Sequence, residues 1–156
     1  YAMTEVYGKM FGSRIKYFKV NEDLTVSSKD IYDQIDRRTK LVVIENPNGF
    51  VGNMFEKHDI EQIAKKLKFK NIFLLIDEVY FYVENNFFDK KNFFKKYPNV
   101  IISQSFSKGH GLAGLRFGYL ISNAKIMHYL KKVYKQVFIT NPFIHFQCII
   151  KKITCL

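Results

Sequence analysis

Length, composition and charge limit the kind of protein that this chain can be. With 156 residues, of which 47% are hydrophobic and 25% charged, it can bury a core and is too apolar for a disordered segment. Its apolar runs fall short of the roughly 20 residues that a membrane-spanning helix needs, so we expect no membrane protein. The net charge of +11 allows anionic partners, but the lysines stand in short groups typical of solvated helix faces.

Short apolar runs alternate with amphipathic stretches along the chain. Five runs suit buried strands, at residues 15–20, 40–44, 72–76, 100–103 and 117–121. Helical spacing of apolar residues predicts helices at 58–67 and about 123–137, and a further helix after Pro142 at about 143–153. Strands that alternate with helices form right-handed crossovers. The pattern predicts an α/β fold in one domain over residues 1–156, with an open, mostly parallel sheet flanked by helices.

The sequence carries no sign of a metal site or of export. Cys148 and Cys155 have no nearby His or Cys partners in the sequence, so they match neither a zinc pattern nor a disulfide framework. The chain begins at Tyr1 without the charged and then apolar segments of a signal peptide. We therefore expect a cytoplasmic protein that holds no metal ion.

Polar or glycine-rich segments follow three of the predicted strands, at the carboxyl ends where open parallel sheets bind ligands. The first, residues 46–52, reads Asn-Pro-Asn-Gly-Phe-Val-Gly, which also suits an ordinary turn. The second is Asp77-Glu78-Val79-Tyr80. A carboxylate that leaves a buried strand is costly unless it meets a positive partner, and a protonated pyridine nitrogen is one such partner. Helix caps, metal ligands and loop residues are the alternatives for Asp77.

The third segment surrounds Lys108. Residues 105–108 read Ser-Phe-Ser-Lys, and residues 109–116 read Gly-His-Gly-Leu-Ala-Gly-Leu-Arg. Hydroxyls, glycines and an arginine around one lysine predict a loop that binds an anion and presents an amine to a carbonyl group. The glycines also match G-x-G-x-x-G, but we reject a dinucleotide site because a predicted strand, and not a helix, follows Gly114.

Together these segments resemble one enzyme family. The order N-P-N-x-x-x-G, D-E-x-Y, S-x-S-K and G-L-R is similar to that of the aminotransferases of class I and II, of fold type I, and most closely to their histidinol-phosphate aminotransferase-like branch. Tyr1-Ala2-Met3 also resembles the aromatic turn of the family. The resemblance implies pyridoxal 5'-phosphate (PLP) as cofactor. It also implies that the chain is part of the large PLP-binding domain, without the family's N-terminal segment and C-terminal small domain.

The resemblance implies a role for each matched residue. Lys108 would hold PLP as a Schiff base and move the proton between the substrate carbon and the cofactor. Asp77 would pair with the pyridinium nitrogen, which keeps the ring protonated and able to absorb electrons. Tyr80 would hydrogen-bond the phenolic oxygen of PLP. The other implied contacts are those of Ser105, Ser107 and Arg116 with the phosphate and of Tyr1 with the face of the ring.

The turn after the second predicted strand departs from the family pattern. The usual run is N-P-N-N-P-T-G, so an ungapped match places Gly49 where the cofactor-contacting Asn stands, with Phe50 and Val51 in place of Pro and Thr. Either Asn48 takes over the contact with the phenolic oxygen through a shifted turn, or the contact is lost. Asn48 is the candidate that we carry forward.

The implied function is amino-group transfer between an amino acid, or a phosphorylated amine such as histidinol phosphate, and a 2-oxo acid, in a homodimer. The cofactor motifs do not separate this from PLP-dependent decarboxylation or C–S lysis. Because family members are much longer, a truncated and inactive relative is a further hypothesis. A basic nucleic-acid-binding domain would need exposed aromatics among its basic residues, whereas the aromatics here fall mainly in strands and apolar helix faces.

Overall fold

The structure, a computed structural model, describes residues 2–81, 90–116 and 118–134. The chain divides into two compact units, Tyr1–Thr39 and Lys40–Leu156. The α-helices and strands in chain order are α1 (Ala2–Met10), α2 (Ser28–Asp33), β1 (Leu41–Glu45), α3 (Lys57–Phe69), β2 (Phe73–Asp77), α4 (Lys90–Lys96), β3 (Val100–Ser105), β4 (Gly118–Ser122) and α5 (Ala124–Tyr134), and a 3-10 helix (Ala113–Leu115) lies between β3 and β4. In the part of the chain that the structure describes, no helix is long and apolar enough to span a membrane.

The first unit contains the helices α1 and α2, and its described residues include no strand. α2 begins with a capping box, in which the Ser27 hydroxyl accepts from the Asp30 amide (3.2 Å) and the Asp30 carboxylate accepts from the Ser27 amide (2.8 Å). The strand predicted over residues 15–20 is wrong, because this run forms no strand. A strand needs a hydrogen-bonded neighbour as well as an apolar pattern, and Tyr17 and Val20 of this run are exposed.

The second unit contains a four-stranded sheet in the order β1-β2-β3-β4. β1, β2 and β3 run parallel, and β4 pairs antiparallel with β3. Four of the five predicted strands are therefore confirmed within one or two residues at their ends, and so is the open, mostly parallel α/β sheet. The antiparallel direction of β4 was not predicted.

The core of this unit lies between α3 and the sheet. Alternate residues of the parallel strands are buried, and they are Val42, Ile44, Leu74, Ile76, Val100 and Ile102. α3 contacts β2 and buries the four apolar residues that the sequence placed on one face, Ile60, Ile63, Ala64 and Leu67, while Lys65, Lys66 and Lys68 are exposed. Each buried aliphatic side chain contributes about 1.5–3 kcal/mol to the transfer from water. The amphipathic α3 is confirmed.

α4 was not predicted from the sequence, and it packs beside α3. Its buried Phe93 lies 5.1 Å from the ring centroid of Tyr97, just beyond the end of the helix. The Tyr97 hydroxyl and the Lys96 ammonium both bind the Glu61 carboxylate of α3, at 3.1 and 2.9 Å. The helix predicted at 123–137 is confirmed as α5 up to Tyr134, whereas the helix predicted at 143–153 lies outside the described residues.

Candidate functional site

The three polar segments come together because the parallel strands end at the same level. Glu45 at the end of β1 pairs with Asp77 at the end of β2, and Asp77 pairs with Ser103 of β3. The segments that follow are joined by backbone bonds, from the Asn46 amide to the Asp77 carbonyl and from the Glu78 amide to the Ser103 carbonyl, both of 2.8 Å. The carboxyl edge of the sheet thus brings together the three segments that the sequence singled out.

Asp77 is a half-buried carboxylate with two neutral donors. The Val79 amide donates to its Oδ1 at 3.1 Å, and the Ser103 side chain also hydrogen-bonds it. Burial raises the pKa of Asp77, and the nearby Glu45 carboxylate raises it further, while the two hydrogen bonds act in the opposite direction. A positive group beside Asp77 would therefore stabilise its charged form.

Tyr80 contacts two residues that the sequence also singled out. The Lys108 ammonium stands over the Tyr80 ring, 5.4 Å from the centroid, which is within the range of a cation–π contact. In the turn after β1, the backbone of Gly49 lies against the same ring. The structure thus joins the turn after β1, the end of β2 and the loop after β3 around one phenol ring.

The loop after β3 is folded upon itself and leaves Lys108 exposed. The Ser105 hydroxyl accepts a hydrogen bond from the Ser107 amide at 3.1 Å, and the Lys108 carbonyl accepts one from the Gly111 amide at 2.9 Å. Gly111 has φ +65°, a left-handed conformation that a glycine adopts without a steric penalty. These local bonds define the course of the loop, so the exposed Lys108 side chain extends from a folded turn.

Arg116 ends this loop in an unusual conformation for a residue other than glycine. Its φ is +50°, and its exposed guanidinium donates from Nη1 to the Ala113 carbonyl at 3.3 Å, within its own turn. The structure therefore shows Arg116 next to its own turn and does not show it bonded to Ser105 or Ser107. Gly114 lies in the three-residue 3-10 helix, and strand β4 begins at Gly118, so these glycines lead into a strand and not into the α-helix of a dinucleotide site.

Asn48 is engaged in the turn after β1. Its Oδ1 accepts from the amides of Phe50 (2.9 Å) and Val51 (3.0 Å), and its Nδ2 donates to the Glu45 carboxylate (3.2 Å). The side chain that we carried forward as a cofactor contact thus stabilises its own turn, as Asn side chains commonly do. Tyr1, the predicted stacking residue, lies outside the described residues.

Several polar residues near the site were not singled out from the sequence. The buried Glu78 carboxylate accepts from Gln104 Nε2 at 2.6 Å, and the Tyr119 hydroxyl donates to Gln104 Oε1. Burial and the Glu78 charge raise the pKa of Tyr119. Glu78 was visible as the second acid of its motif, but Gln104 and Tyr119 meet only through the antiparallel register of β3 and β4. Ser103 likewise reaches Asp77 through strand register.

Comparisons with known proteins identify the family of the chain. The family model "Aminotransferase class I and II" matches residues 1–153. The histidinol-phosphate aminotransferase of Methanococcus aeolicus is 34% identical over 130 residues, or 82% of this chain and 34% of that protein. The histidinol-phosphate aminotransferase of Pelagibacter ubique is 35% identical over 121 residues, or 76% of this chain and 33% of that protein. The chain thus spans about a third of the length of these relatives.

Solved structures show the same fold. The histidinol-phosphate aminotransferase from Clostridium acetobutylicum has a TM-score of 0.67 and 25% identity, and the likeness covers 76% of this chain and 35% of that one. A double mutant of Thermus thermophilus aspartate aminotransferase has a TM-score of 0.75 at 18% identity, with coverage of 87% and 36%, which supports the fold alone. The chain belongs to the aminotransferase class I and II family, an enzyme family whose membership implies pyridoxal phosphate as the cofactor.

Proposed function

We propose that this chain is the cofactor-binding part of a PLP-dependent aminotransferase and that Lys108 is the residue to which PLP is attached. The observation that carries the proposal is the position of the Lys108 amine. It is exposed, it stands 5.4 Å from the Tyr80 ring centroid, and its loop follows the strand that pairs with the Asp77 strand. A primary amine and a carboxylate from adjacent strand ends suit the aldehyde and the pyridine nitrogen of this cofactor, and the Tyr80 phenol beside them matches the role that the family resemblance implies.

The donor set fits PLP in charge as well as in type. The raised pKa of Asp77 reflects burial, which penalises the charged carboxylate, and the like charge of Glu45 adds to this effect. A protonated pyridine nitrogen beside the carboxyl group would favour its charged form. When bound, PLP supplies the electron sink on which amino-group transfer depends. In this proposal, the Asp77 carboxylate holds a proton on the ring nitrogen, and Lys108 Nζ accepts and returns the proton of the substrate carbon.

The loop after β3 is the proposed phosphate site. Ser105 and Ser107 supply hydroxyl groups just before Lys108 in sequence, and the hydrogen bond from the Ser107 amide to the Ser105 hydroxyl keeps this part of the loop folded. The Arg116 guanidinium has five N–H donors, and the contact with Ala113 that the structure shows uses Nη1. A turn of its exposed side chain toward the serines would give the bidentate contact that arginine makes with phosphate.

The substrates and the assembly of the whole protein also belong to this proposal. The relatives named above are histidinol-phosphate aminotransferases, which supports a phosphorylated amine as amino donor and a 2-oxo acid as acceptor. Because the sequence relatives are aminotransferases, decarboxylation and lysis are not favoured. The homodimer, the cytoplasmic location and the assignment of residues 1–156 to part of one large domain stay predictions.

Cofactor attachment tests the proposal directly. The purified chain is mixed with PLP, the visible absorbance band is recorded, borohydride is added, and the modified lysine is mapped by peptide mass spectrometry. We expect modification at Lys108 and its loss in Lys108→Ala. Lys65→Ala, which removes an exposed lysine from α3, is the matched control and should modify as the unaltered chain does.

Either result is informative about the chain. Modification confined to Lys108 would support a preformed cofactor site and move the question to the substrate. Modification scattered over surface lysines, or an adduct at the same site in Lys108→Ala, would contradict the proposal and favour an inactive relative.

A further inference from the structure

The feature that carries a further inference is the close approach of Tyr80 to Gly49. A Cβ atom at residue 49 would lie 2.1 Å from Tyr80 Cε2, 2.8 Å from Cζ and 2.9 Å from Cδ2. Such separations are far below van der Waals contact, so the hydroxyl-bearing end of the ring occupies the space where a side chain at residue 49 would begin. The φ of Gly49 lies outside the left-handed region, so glycine is required here for room and not for its backbone conformation.

Asn48 does not compensate for the missing side chain at residue 49. Its amide makes three hydrogen bonds, to the backbone of Phe50 and Val51 and to the Glu45 carboxylate. Turning it toward the cofactor would break these bonds, each of which contributes roughly 0.5–1.5 kcal/mol. The alternative in which Asn48 replaces the usual asparagine therefore conflicts with the contacts that hold this turn.

Tyr80 also contacts Lys108. The Lys108 ammonium lies over the ring, 5.4 Å from its centroid. The ring thus contacts both the turn at Gly49 and the amine that the proposed function assigns to cofactor attachment. A side chain at residue 49 would displace the ring and so change its position relative to that amine.

We propose that Gly49 is a positioning residue, which leaves room for Tyr80 so that the Tyr80 hydroxyl alone contacts the phenolic oxygen of PLP. The family pattern assigns that contact to an asparagine as well as a tyrosine. In this chain the Tyr80 ring lies in the space that the asparagine side chain at residue 49 would need. The inference rests on the proposed function and deepens it. It leads to an unusual expectation, because restoring the family's asparagine at residue 49 should harm the site.

The test is a double-mutant cycle read out by PLP binding. The PLP dissociation constant is measured by titrating the visible absorbance band, and borohydride fixation gives the fraction attached at Lys108. Gly49→Ala and Gly49→Asn should each weaken PLP binding about tenfold, which corresponds to about 1.4 kcal/mol. In the Tyr80→Ala background, Gly49→Ala should change binding by less than about twofold, since the ring that it displaces is gone.

Two further variants separate positioning from general damage to the turn. Phe50→Ala removes a side chain that is 98% exposed in the same turn, so it should bind PLP as the unaltered chain does. Tyr80→Phe keeps the ring and removes the hydroxyl, so it should weaken binding and shift the pH midpoint of the absorbance band. Far-ultraviolet circular dichroism establishes that each variant is folded, and recovery of folding in Gly49→Ala/Tyr80→Ala would itself support the steric origin.

The outcomes distinguish this inference from the proposed function. If the unaltered chain attaches PLP at Lys108 and Gly49→Asn binds it equally well or more tightly, the role of Gly49 is refuted and the function stands. Additive effects of Gly49→Ala and Tyr80→Ala would refute it in the same way. If the unaltered chain attaches no PLP at Lys108, the proposed function fails, and this inference fails with it.

Discussion

Asn99 offers a quantitative test of how the scaffold beneath the site is held together. It lies between α4 and β3, is 9% exposed, and donates from Nδ2 to the carbonyl oxygens of Ala64 in α3 (3.2 Å) and of Ile72 before β2 (3.0 Å). Asn99→Asp keeps the size and shape of the side chain but places an oxygen opposite those two oxygens. Asn99→Leu removes the same two bonds without adding a charge.

The magnitudes follow from these contacts. Loss of two neutral hydrogen bonds should cost Asn99→Leu about 1–3 kcal/mol. Asn99→Asp adds a buried carboxylate without a positive partner, and its total cost should be about 3–5 kcal/mol at neutral pH. Burial and the two facing carbonyl oxygens should raise the pKa of the introduced carboxyl in the folded state above its unfolded value. Its stability should therefore fall as pH rises through that interval, and the difference from the unaltered chain should shrink at acid pH.

Urea denaturation followed by circular dichroism, at neutral and at acid pH, measures both effects. Gln62→Glu is the matched control, because it makes the same change from amide to carboxylate at an exposed position of α3 and should shift stability by less than about 0.5 kcal/mol. Equal stability of Asn99→Asp and the unaltered chain, or a difference that does not depend on pH, would show that Asn99 does not make these contacts in solution.

Three other predictions concern the sheet and its carboxyl edge. Ile102→Ala, at a fully buried position of β3, should cost about 2–5 kcal/mol in urea denaturation, whereas Leu41→Ala at an exposed position of β1 should cost far less. Gly118→Ala should cost about 1–3 kcal/mol, because its Cβ would lie 2.9 Å from a carbonyl oxygen of β3, and Gly114→Ala, with open space around it, is the control. Burial raises the pKa of Asp77 in the folded chain, so without PLP the charged carboxylate opposes folding at neutral pH, and Asp77→Asn should raise the melting temperature there. That gain should disappear as pH falls through the raised pKa and Asp77 takes up a proton, and a gain that persisted at acid pH would contradict this explanation.

The local hydrophobic pattern of the sequence was sufficient to predict the parallel strands and α3 of the second unit. The parallel strands and α3 followed from apolar runs and helical spacing, because burial against a sheet imposes those periods on the sequence itself. The same approach failed at residues 15–20, since an apolar run indicates that a strand is possible but not that a neighbour is available to pair with it.

The order of the motifs was sufficient to select the main residues of the candidate site. Asp77, Tyr80 and Lys108 were singled out because their types and order match an enzyme family, and parallel register then places their segments at one edge of the sheet. The direction of β4 was not encoded in its local pattern, because parallel and antiparallel strands have the same two-residue period. The contact between Gln104 and Tyr119 depends on that direction.

By itself, the sequence determined the α/β class and the buried faces of α3 and the central strands, because both follow from the local spacing of apolar residues. It also determined which chemical groups lie at the strand ends, because these follow from the order of the motifs. Only the tertiary structure decided which residues touch. It placed the Tyr80 ring against Gly49, engaged Asn48 in its own turn, and brought Ser103 to Asp77. The contacts of Tyr80 with Gly49 and of Ser103 with Asp77 join segments distant in sequence, and they depend on strand register and side-chain volume, which no local pattern specifies. The contacts of Asn48 are local, but only the folded turn shows which of its neighbours the side chain bonds.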